Sequence, residues 1–188
     1  LEKSVVNVNL LLRLKLKENT LRTEKFFVFG MSAEVIERKV LEISGILGDK
    51  ISLGIHFHRK TQNMAEWNYE YELFNTFDEC FFKFINYVNI GGGLPSEYAN
   101  TNVSVINSIM TKIQQLRSKL HTDQIKLMIE PGRFISAPAV KLVTQIIGKH
   151  GNNLIVNASV YNSDLDALIV PVKLLVQGEL EKNEEEAY

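Results

Sequence analysis

The sequence has little cysteine, since only Cys80 occurs among its 188 residues. A single cysteine excludes an internal disulfide framework and a metal site built from several cysteines, and it suits a reducing compartment such as the cytoplasm. The aromatic residues around Cys80 predict a packed helix, which disfavours catalysis by this thiol. We therefore expect a cytoplasmic protein whose chemistry does not use Cys80.

The sequence also lacks long apolar runs and an excess of charge of one sign. No uninterrupted apolar stretch approaches the roughly 20 residues of a membrane span, and the N-terminus has no signal-peptide layout. The formal net charge of -1 gives no long-range field that would favour nucleic acid or anionic lipid. We expect neither partner, and any anion site must be local.

What is present is ordinary globular composition, with 45% hydrophobic and 23% charged residues. This is enough apolar mass for a core. The chain begins at Leu1 within a regular pattern and ends at Tyr188 without a stop signal, so we expect a segment of a longer protein.

Strand patterns alternate with helical patterns along most of the chain. The apolar periodicity predicts strands at residues 5–17, 51–58, 84–88 and 125–129 and helices at residues 32–47, 67–84 and 104–120. Such alternation is typical of a parallel sheet wrapped by helices. Past Gly151 the pattern predicts two strands, at 154–160 and 167–176, so we place a domain boundary near Gly151, between residues 1–150 and residues 151–188.

Residues that can bind a ligand or take part in catalysis follow the predicted strands. His58, the run Gly91 to Gly93, and Glu130 with Arg133 each come directly after a strand. The C-terminal ends of parallel strands build the sites of such folds, so these residues should converge. Consecutive glycines can bring backbone N–H groups against an anion, most often a phosphate.

The two histidines and Arg13 can also be explained without a bound ligand. His56 and His58 share one face of a strand, where two histidines can be a packed pair, and zinc needs at least three protein ligands. No metal is therefore predicted. Arg13 lies on the polar side of the first strand, either as a solvated edge charge or as a contact inside a polar barrel mouth.

Three segments together resemble one family. HFHRKTQ (56–62) is similar to H-x-H-[IV]-G-S-Q, NIGGGLP (89–95) to [ND]-I-G-G-G-F-P, and EPGR (130–133) to E-P-G-R, all of the pyridoxal-phosphate-dependent ornithine, diaminopimelate and arginine decarboxylases. Leu12-Arg13-Leu14 and Phe29-Gly30 fit weaker upstream positions. The resemblance implies the C-terminal half of a (β/α)₈ barrel, the start of a β-domain at residues 151–188, and a homodimer with its active site at the interface.

The resemblance also implies roles for individual residues around pyridoxal 5'-phosphate. His58 would stack on the pyridoxal ring, and Glu130 would pair with the ring nitrogen and keep it protonated. The other residues expected to bind the cofactor either contact its phosphate or belong to the matching motifs. They are Gly91, Gly92, Gly93, Arg133, Thr61, Gly132 and Arg13. The expected substrate is a small amino acid of the diaminopimelate, ornithine, lysine or arginine type.

Two departures from the family pattern bear on this interpretation. Lys60 stands where the family has glycine, and no lysine of this sequence can be assigned as the one that bonds covalently to the cofactor. In the family that lysine precedes the region matching Leu1, so we expect an incomplete enzyme that forms part of a larger assembly. A non-catalytic homologue, a regulatory subunit or a racemase-like protein is the alternative.

Overall fold

The computed structural model describes residues 8–15, 29–46, 51–58, 68–169 and 172–179. Residue contacts divide the chain into two compact units. The first comprises residues 1–94 and 104–132, and the second residues 95–103 and 133–188. In the described residues, no helix is both long and apolar enough to cross a membrane.

The first unit is built on a parallel sheet of four strands. β1 (Val8–Arg13), β2 (Ile51–His56), β3 (Tyr87–Asn89) and β4 (Lys126–Met128) lie side by side in chain order, and every neighbouring pair is parallel. The parallel α/β architecture predicted from the sequence is therefore confirmed. On the outer side of β1, Leu14 forms a parallel bridge with Met31.

Helices connect these strands, as parallel pairing requires. α1 (Ala33–Ile46) joins β1 to β2, α2 (Tyr69–Thr76) precedes β3, and α3 (Ile106–Thr122) precedes β4. At the start of α1 a hydrogen bond from the Ser32 side chain lowers the pKa of Glu34, which is consistent with the predicted helix start at Ser32. α3 has Val105 at its N-cap position and begins at Ile106, two residues after the predicted helix start at residue 104.

The core of the first unit lies between the sheet and these helices. Ile36 and Val40 of α1, Ile55 of β2 and Val88 of β3 are fully buried, as is Leu120 of α3. Burial of such side chains supplies about 1.5–3 kcal/mol each.

The aromatic segment forms two short elements instead of the single predicted helix. α2 ends at Thr76 because Phe77 is extended, and a 3₁₀ turn follows at Phe81–Phe84. The rings of Phe77 and Phe81 stack, with centroids 4.1 Å apart. Cys80 is exposed in the described residues, so its predicted packing within a helix was wrong.

The second unit contains an antiparallel hairpin and short helices. β5 (Ile146–His150) pairs with β6 (Asn153–Val156), and Gly151, with a φ of 57°, lies in the turn between them. α4 (Arg133–Ser136) and a 3₁₀ turn (Ala137–Ala139) precede the hairpin. The division between residues 1–150 and 151–188 as domains stays a prediction.

The two strands predicted after Gly151 were wrong over most of their length. β6 ends at Val156, α5 (Val160–Ser163) begins at the last residue of the first predicted strand, and α6 (Asp166–Ile169) covers the start of the second, while residues 172–176 form no regular element. Ser159 caps α5, because its hydroxyl accepts a hydrogen bond from the Tyr161 backbone N–H at 3.2 Å. A local cap of this kind outweighs the strand preference of the aliphatic residues.

Candidate functional site

The parallel register aligns the C-terminal ends of the strands. Arg13 lies opposite His56, His56 opposite Asn89, and Asn89 opposite Met128. Beyond the strands the backbones stay paired, since Glu130 N donates to Gly91 O at 2.8 Å. The residues that follow β2, β3 and β4 are therefore held against one another at one edge of the sheet.

The glycines after β3 form a turn whose backbone touches both neighbouring segments. Gly91 has a φ of 67° and Gly93 a φ of 104°, in the region that favours glycine. A Cβ atom on Gly91 would lie 2.7 Å from His58 Nδ1 and from Phe57 O, and one on Gly92 would lie 2.7 Å from Glu130 O. Only glycine permits this approach. We refer to residues Gly91 to Gly93 as the glycine turn.

His58 and Glu130 flank the glycine turn, as the sequence led us to expect. His58 Nδ1 accepts a hydrogen bond from Gly92 N at 3.2 Å, which fixes one edge of the imidazole while the residue stays exposed. The Glu130 side chain is 52% exposed. Both groups are therefore accessible to a ligand at the edge of the sheet.

Asn89 connects Glu130 to the glycine turn and was not among the site residues predicted from the sequence. The residue is only 3% exposed. Its Oδ1 accepts from Gly91 N at 2.9 Å, and its Nδ2 donates to Glu130 Oε1 at 2.8 Å. An asparagine two residues before a glycine is a known turn signal, but the contact with Glu130 depends on the pairing of β3 with β4.

His56 is a second residue that the analysis did not include among the site residues. Its Nε2 is buried, has no hydrogen-bond partner in the described part of the chain, and lies 3.8 Å from Glu130 Oε1. Burial lowers the pKa of His56, the Glu130 carboxylate opposes this, and Arg13 and His58 add to the lowering. The imidazole is thus neutral at neutral pH and faces the carboxylate.

The same side chains form a group of potential metal ligands. One ligand atom from each of His56, His58 and Glu130 lies within 4.8 Å of the others, and two histidines with a glutamate can hold zinc. However, His58 Nδ1 accepts the Gly92 N–H, whereas a metal-bound histidine almost always donates its second N–H. We therefore assign no metal to this group.

Arg13, Arg133, Gly132 and Thr61 are the remaining residues of the predicted site. The Arg13 guanidinium lies over the Phe29 ring, 5.8 Å from the ring centroid. Arg133 begins α4 in the second unit, where its carbonyl accepts from Ser96 Oγ at 3.0 Å. A Cβ atom on Gly132 would meet nothing within 4 Å, and Thr61 lies outside the described residues. The cofactor roles of these residues stay predictions.

Comparison with family models gives a match over most of the chain. Residues 1–137 match the model described as the pyridoxal binding domain of pyridoxal-dependent decarboxylases. This range includes all four strands of the parallel sheet and the residues of the candidate site. No curated protein matches the sequence.

Comparison with solved structures finds decarboxylases of similar fold. A lysine decarboxylase from Selenomonas ruminantium has 24% identity and a TM-score of 0.64, and the match covers 89% of this chain and 45% of that one. An arginine decarboxylase from Paramecium bursaria Chlorella virus has 20% identity, a TM-score of 0.59 and coverages of 85% and 45%. A diaminopimelate decarboxylase from Helicobacter pylori, complexed with L-lysine, has 17% identity, a TM-score of 0.67 and coverages of 90% and 45%. The chain spans less than half the length of these proteins, and at such identities the likeness concerns the fold.

Proposed function

The chain belongs to the family of pyridoxal-dependent decarboxylases, and from this premise we propose that it carries part of the active site of an enzyme that decarboxylates a basic or diamino acid. Family membership and the cofactor, pyridoxal phosphate, were both predicted from the sequence and are confirmed. The proposed substrates are diaminopimelate, ornithine, lysine and arginine. Support for this class comes from the similar solved structures, which include lysine, arginine and diaminopimelate decarboxylases.

The observation that carries the proposal is the fixed carboxylate of Glu130 beside the glycine turn. Among the described hydrogen bonds, Glu130 uses Oε1 to accept from Asn89. Its side chain is half exposed, so the carboxylate can also accept from a cationic ring N–H. The glycine turn lies close by, since Gly91 O accepts the Glu130 N–H at 2.8 Å.

Each end of pyridoxal phosphate finds suitable groups among these residues. The glycine turn has no Cβ atoms that would keep a phosphate from its backbone. Within the described residues the Gly91 and Gly92 N–H groups already donate to side chains, which leaves the Gly93 N–H for the phosphate. Glu130 can hold the proton of the ring nitrogen, and the flat imidazole of His58 can stack on the ring. When bound, the cofactor supplies the electron sink that accepts the electrons left by the loss of CO₂.

Holding the ring-nitrogen proton is the role that we propose for Glu130 in the reaction. A ring that carries a positive charge withdraws electrons better than a neutral ring, and a carboxylate stabilises that charge. The carboxylate does not have to reorganise during the reaction, because Asn89 already orients it. Thr61, Arg133, Gly132 and Arg13 remain proposed cofactor contacts on the basis of the family resemblance.

We also propose that the parallel sheet is part of a (β/α)₈ barrel in a cytoplasmic homodimer. The strand order β1-β2-β3-β4 with intervening helices is that of consecutive barrel strands. The dimer and the location rest on the family resemblance and on the low cysteine content. The lysine that bonds to the cofactor is proposed to lie outside these 188 residues.

The proposal is tested on the full-length protein that contains this chain. We expect pyridoxal phosphate to give a visible absorbance band that borohydride converts into a stable label on a lysine outside this sequence. We then expect CO₂ release from at least one of the four amino acids. A protein with the band but without CO₂ release would fit the non-catalytic or racemase-like alternative and would contradict the proposal.

Two variants connect the activity to the candidate site. Glu130→Gln should lower the rate of CO₂ release by roughly 100-fold or more, because a neutral amide does not stabilise the charged ring. His121→Asn changes an exposed histidine of α3 and should leave the rate unchanged. Full activity of Glu130→Gln would contradict the proposed role of Glu130.

A further inference from the structure

We propose that Asn89 is a positioning residue that couples the phosphate end of the cofactor site to the ring-nitrogen end. The proposal rests on the function proposed above and adds a role that neither the motifs nor the family match assign to this side chain. It predicts that a ligand at the glycine turn improves the binding of a pyridine ring at Glu130.

The buried amide of Asn89 makes a pair of hydrogen bonds that reaches both parts of the site. Asn89 Oδ1 accepts from Gly91 N at 2.9 Å, and Asn89 Nδ2 donates to Glu130 Oε1 at 2.8 Å. The amide side chain supplies both the acceptor and the donor that this arrangement requires. Asn89 is only 3% exposed, so the loss of either partner would leave a polar atom of its buried amide unsatisfied.

Glu130 is held by two hydrogen bonds, one with Asn89 and one with the glycine turn. Its side chain is bound by Asn89, and its backbone N–H donates to Gly91 O at 2.8 Å. The nearby His56 Nε2 is 3.8 Å from the same carboxylate oxygen, too far for a hydrogen bond. A shift of the glycine turn therefore moves Glu130 through Asn89 and through the backbone.

The Asn89 side chain also supports the conformation of the glycine turn itself. Gly91 adopts a φ of 67°, and its N–H is directed to Asn89, two residues earlier in the chain. The side chain that orients Glu130 therefore also stabilises the turn proposed to receive the phosphate. A ligand that orders the turn also orders Glu130 in part. A second ligand at Glu130 then loses less conformational entropy on binding and binds more tightly.

The experiment measures this coupling with the cofactor divided into two pieces. Pyridoxal, which lacks the phosphate, is titrated into the full-length apoprotein with and without saturating inorganic phosphate. In the wild type we expect phosphate to tighten pyridoxal binding roughly 5-fold or more. In Asn89→Ala we expect the enhancement to fall below about 2-fold, because only the backbone bond between Glu130 and Gly91 then connects the two ends of the site.

Asn86→Ala is the matched control on the same segment of chain. Asn86 is also an asparagine with a hydrogen bond from a backbone N–H, since its Oδ1 accepts from Leu53 N at 3.2 Å. It precedes β3, at the opposite end of the strand from the site. We expect Asn86→Ala to lose some stability and to keep the wild-type enhancement by phosphate.

The outcomes separate this inference from the proposed function. A wild-type protein that binds neither pyridoxal phosphate nor pyridoxal would overturn the proposed function. Normal cofactor binding with no enhancement in the wild type, or with an unchanged enhancement in Asn89→Ala, would overturn the coupling role. If Asn89→Ala does not fold, Asn89→Ser is measured instead. Its hydroxyl can still accept from the turn but is too short to reach Glu130, so a retained enhancement there would also overturn the inference.

Discussion

At the scale of single residues, Gly91 is the position where steric limits on the site are strictest. Replacing it with alanine requires a positive φ, which costs about 1–2 kcal/mol. The new Cβ atom would also lie 2.7 Å from the Phe57 carbonyl oxygen. We expect Gly91→Ala to lower the free energy of unfolding by about 2 kcal/mol or more and to weaken pyridoxal phosphate binding, as measured by urea denaturation and cofactor titration.

Gly45 provides the matched control for the alanine substitution. It lies in α1, and a Cβ atom there would meet nothing within 4 Å. Alanine is favoured over glycine inside helices by about 0.5–1 kcal/mol, so Gly45→Ala should stabilise the protein without affecting the cofactor. Wild-type stability and cofactor affinity in Gly91→Ala would show that the glycine turn tolerates a side chain, contrary to our interpretation.

His56 gives the site a contribution to the pH dependence of stability. Because burial lowers the pKa of His56 in the folded state, the unfolded state takes up a proton first as the pH falls. Stability is therefore retained above the unfolded value of about 6.5 and is lost as the pH drops from there toward the folded value. Between about pH 5 and 7.5, we expect the free energy of unfolding of His56→Gln, measured by denaturation, to fall less steeply with decreasing pH than that of the wild type.

The exposed His121 of α3 supplies the comparison for that measurement. His121→Gln removes one imidazole without changing the buried site. A pH dependence that changes equally in the two variants, or in neither, would contradict the assignment to His56.

The site residues divide into those that sequence could identify and those that it could not. His58, Glu130 and the glycine turn follow strands directly, so the rule for parallel sheets was sufficient to select them. Asn89 and His56 lie beside Glu130, which comes 41 residues after Asn89 in the chain. Their contacts depend on strand register and on side-chain direction, and a local pattern contains neither.

At the scale of elements, prediction succeeded where the apolar periodicity agreed with residues that start or end a helix. α1 combines regular apolar spacing with a start signal at Ser32, and its observed range, Ala33–Ile46, agrees closely with the prediction. The aromatic segment has the same spacing, but the extended conformation of Phe77 interrupts it. The first strand predicted after Gly151 stops early because the cap at Ser159 starts α5, and the second begins inside α6.

The packing of α3 can be tested at this scale by shortening one buried side chain. Leu116 is 1% exposed and lies on the buried face of the helix. Leu116→Ala should lower the free energy of unfolding by about 2–5 kcal/mol through lost burial and a cavity. The neighbouring Arg117 is exposed, so Arg117→Ala should change it by less than about 0.5 kcal/mol in the same denaturation assay. Equal effects would mean that α3 does not pack as described.

At the scale of the whole molecule, the two units differ in how far their apolar side chains are buried. Every large apolar residue that is buried in the described part of the chain belongs to the first unit. In the second unit Val143 is 90% exposed, Val140 78% and Ile169 73%. A domain that folds alone has a hydrophobic core of its own, so the described part of the second unit does not have the core of an independent domain.

We therefore expect these apolar side chains to be covered by further protein, either a longer polypeptide or another chain. The 188-residue polypeptide alone should bind the dye ANS strongly and self-associate in size-exclusion chromatography, because exposed apolar groups mark interaction or aggregation sites. The full-length protein should show weak ANS binding and a defined oligomer. Replacing Val140 and Val143 with serine should reduce ANS binding by the polypeptide and leave the core of the first unit intact. A 188-residue chain that is monomeric, cooperatively folded and without ANS binding would show that these residues need no cover.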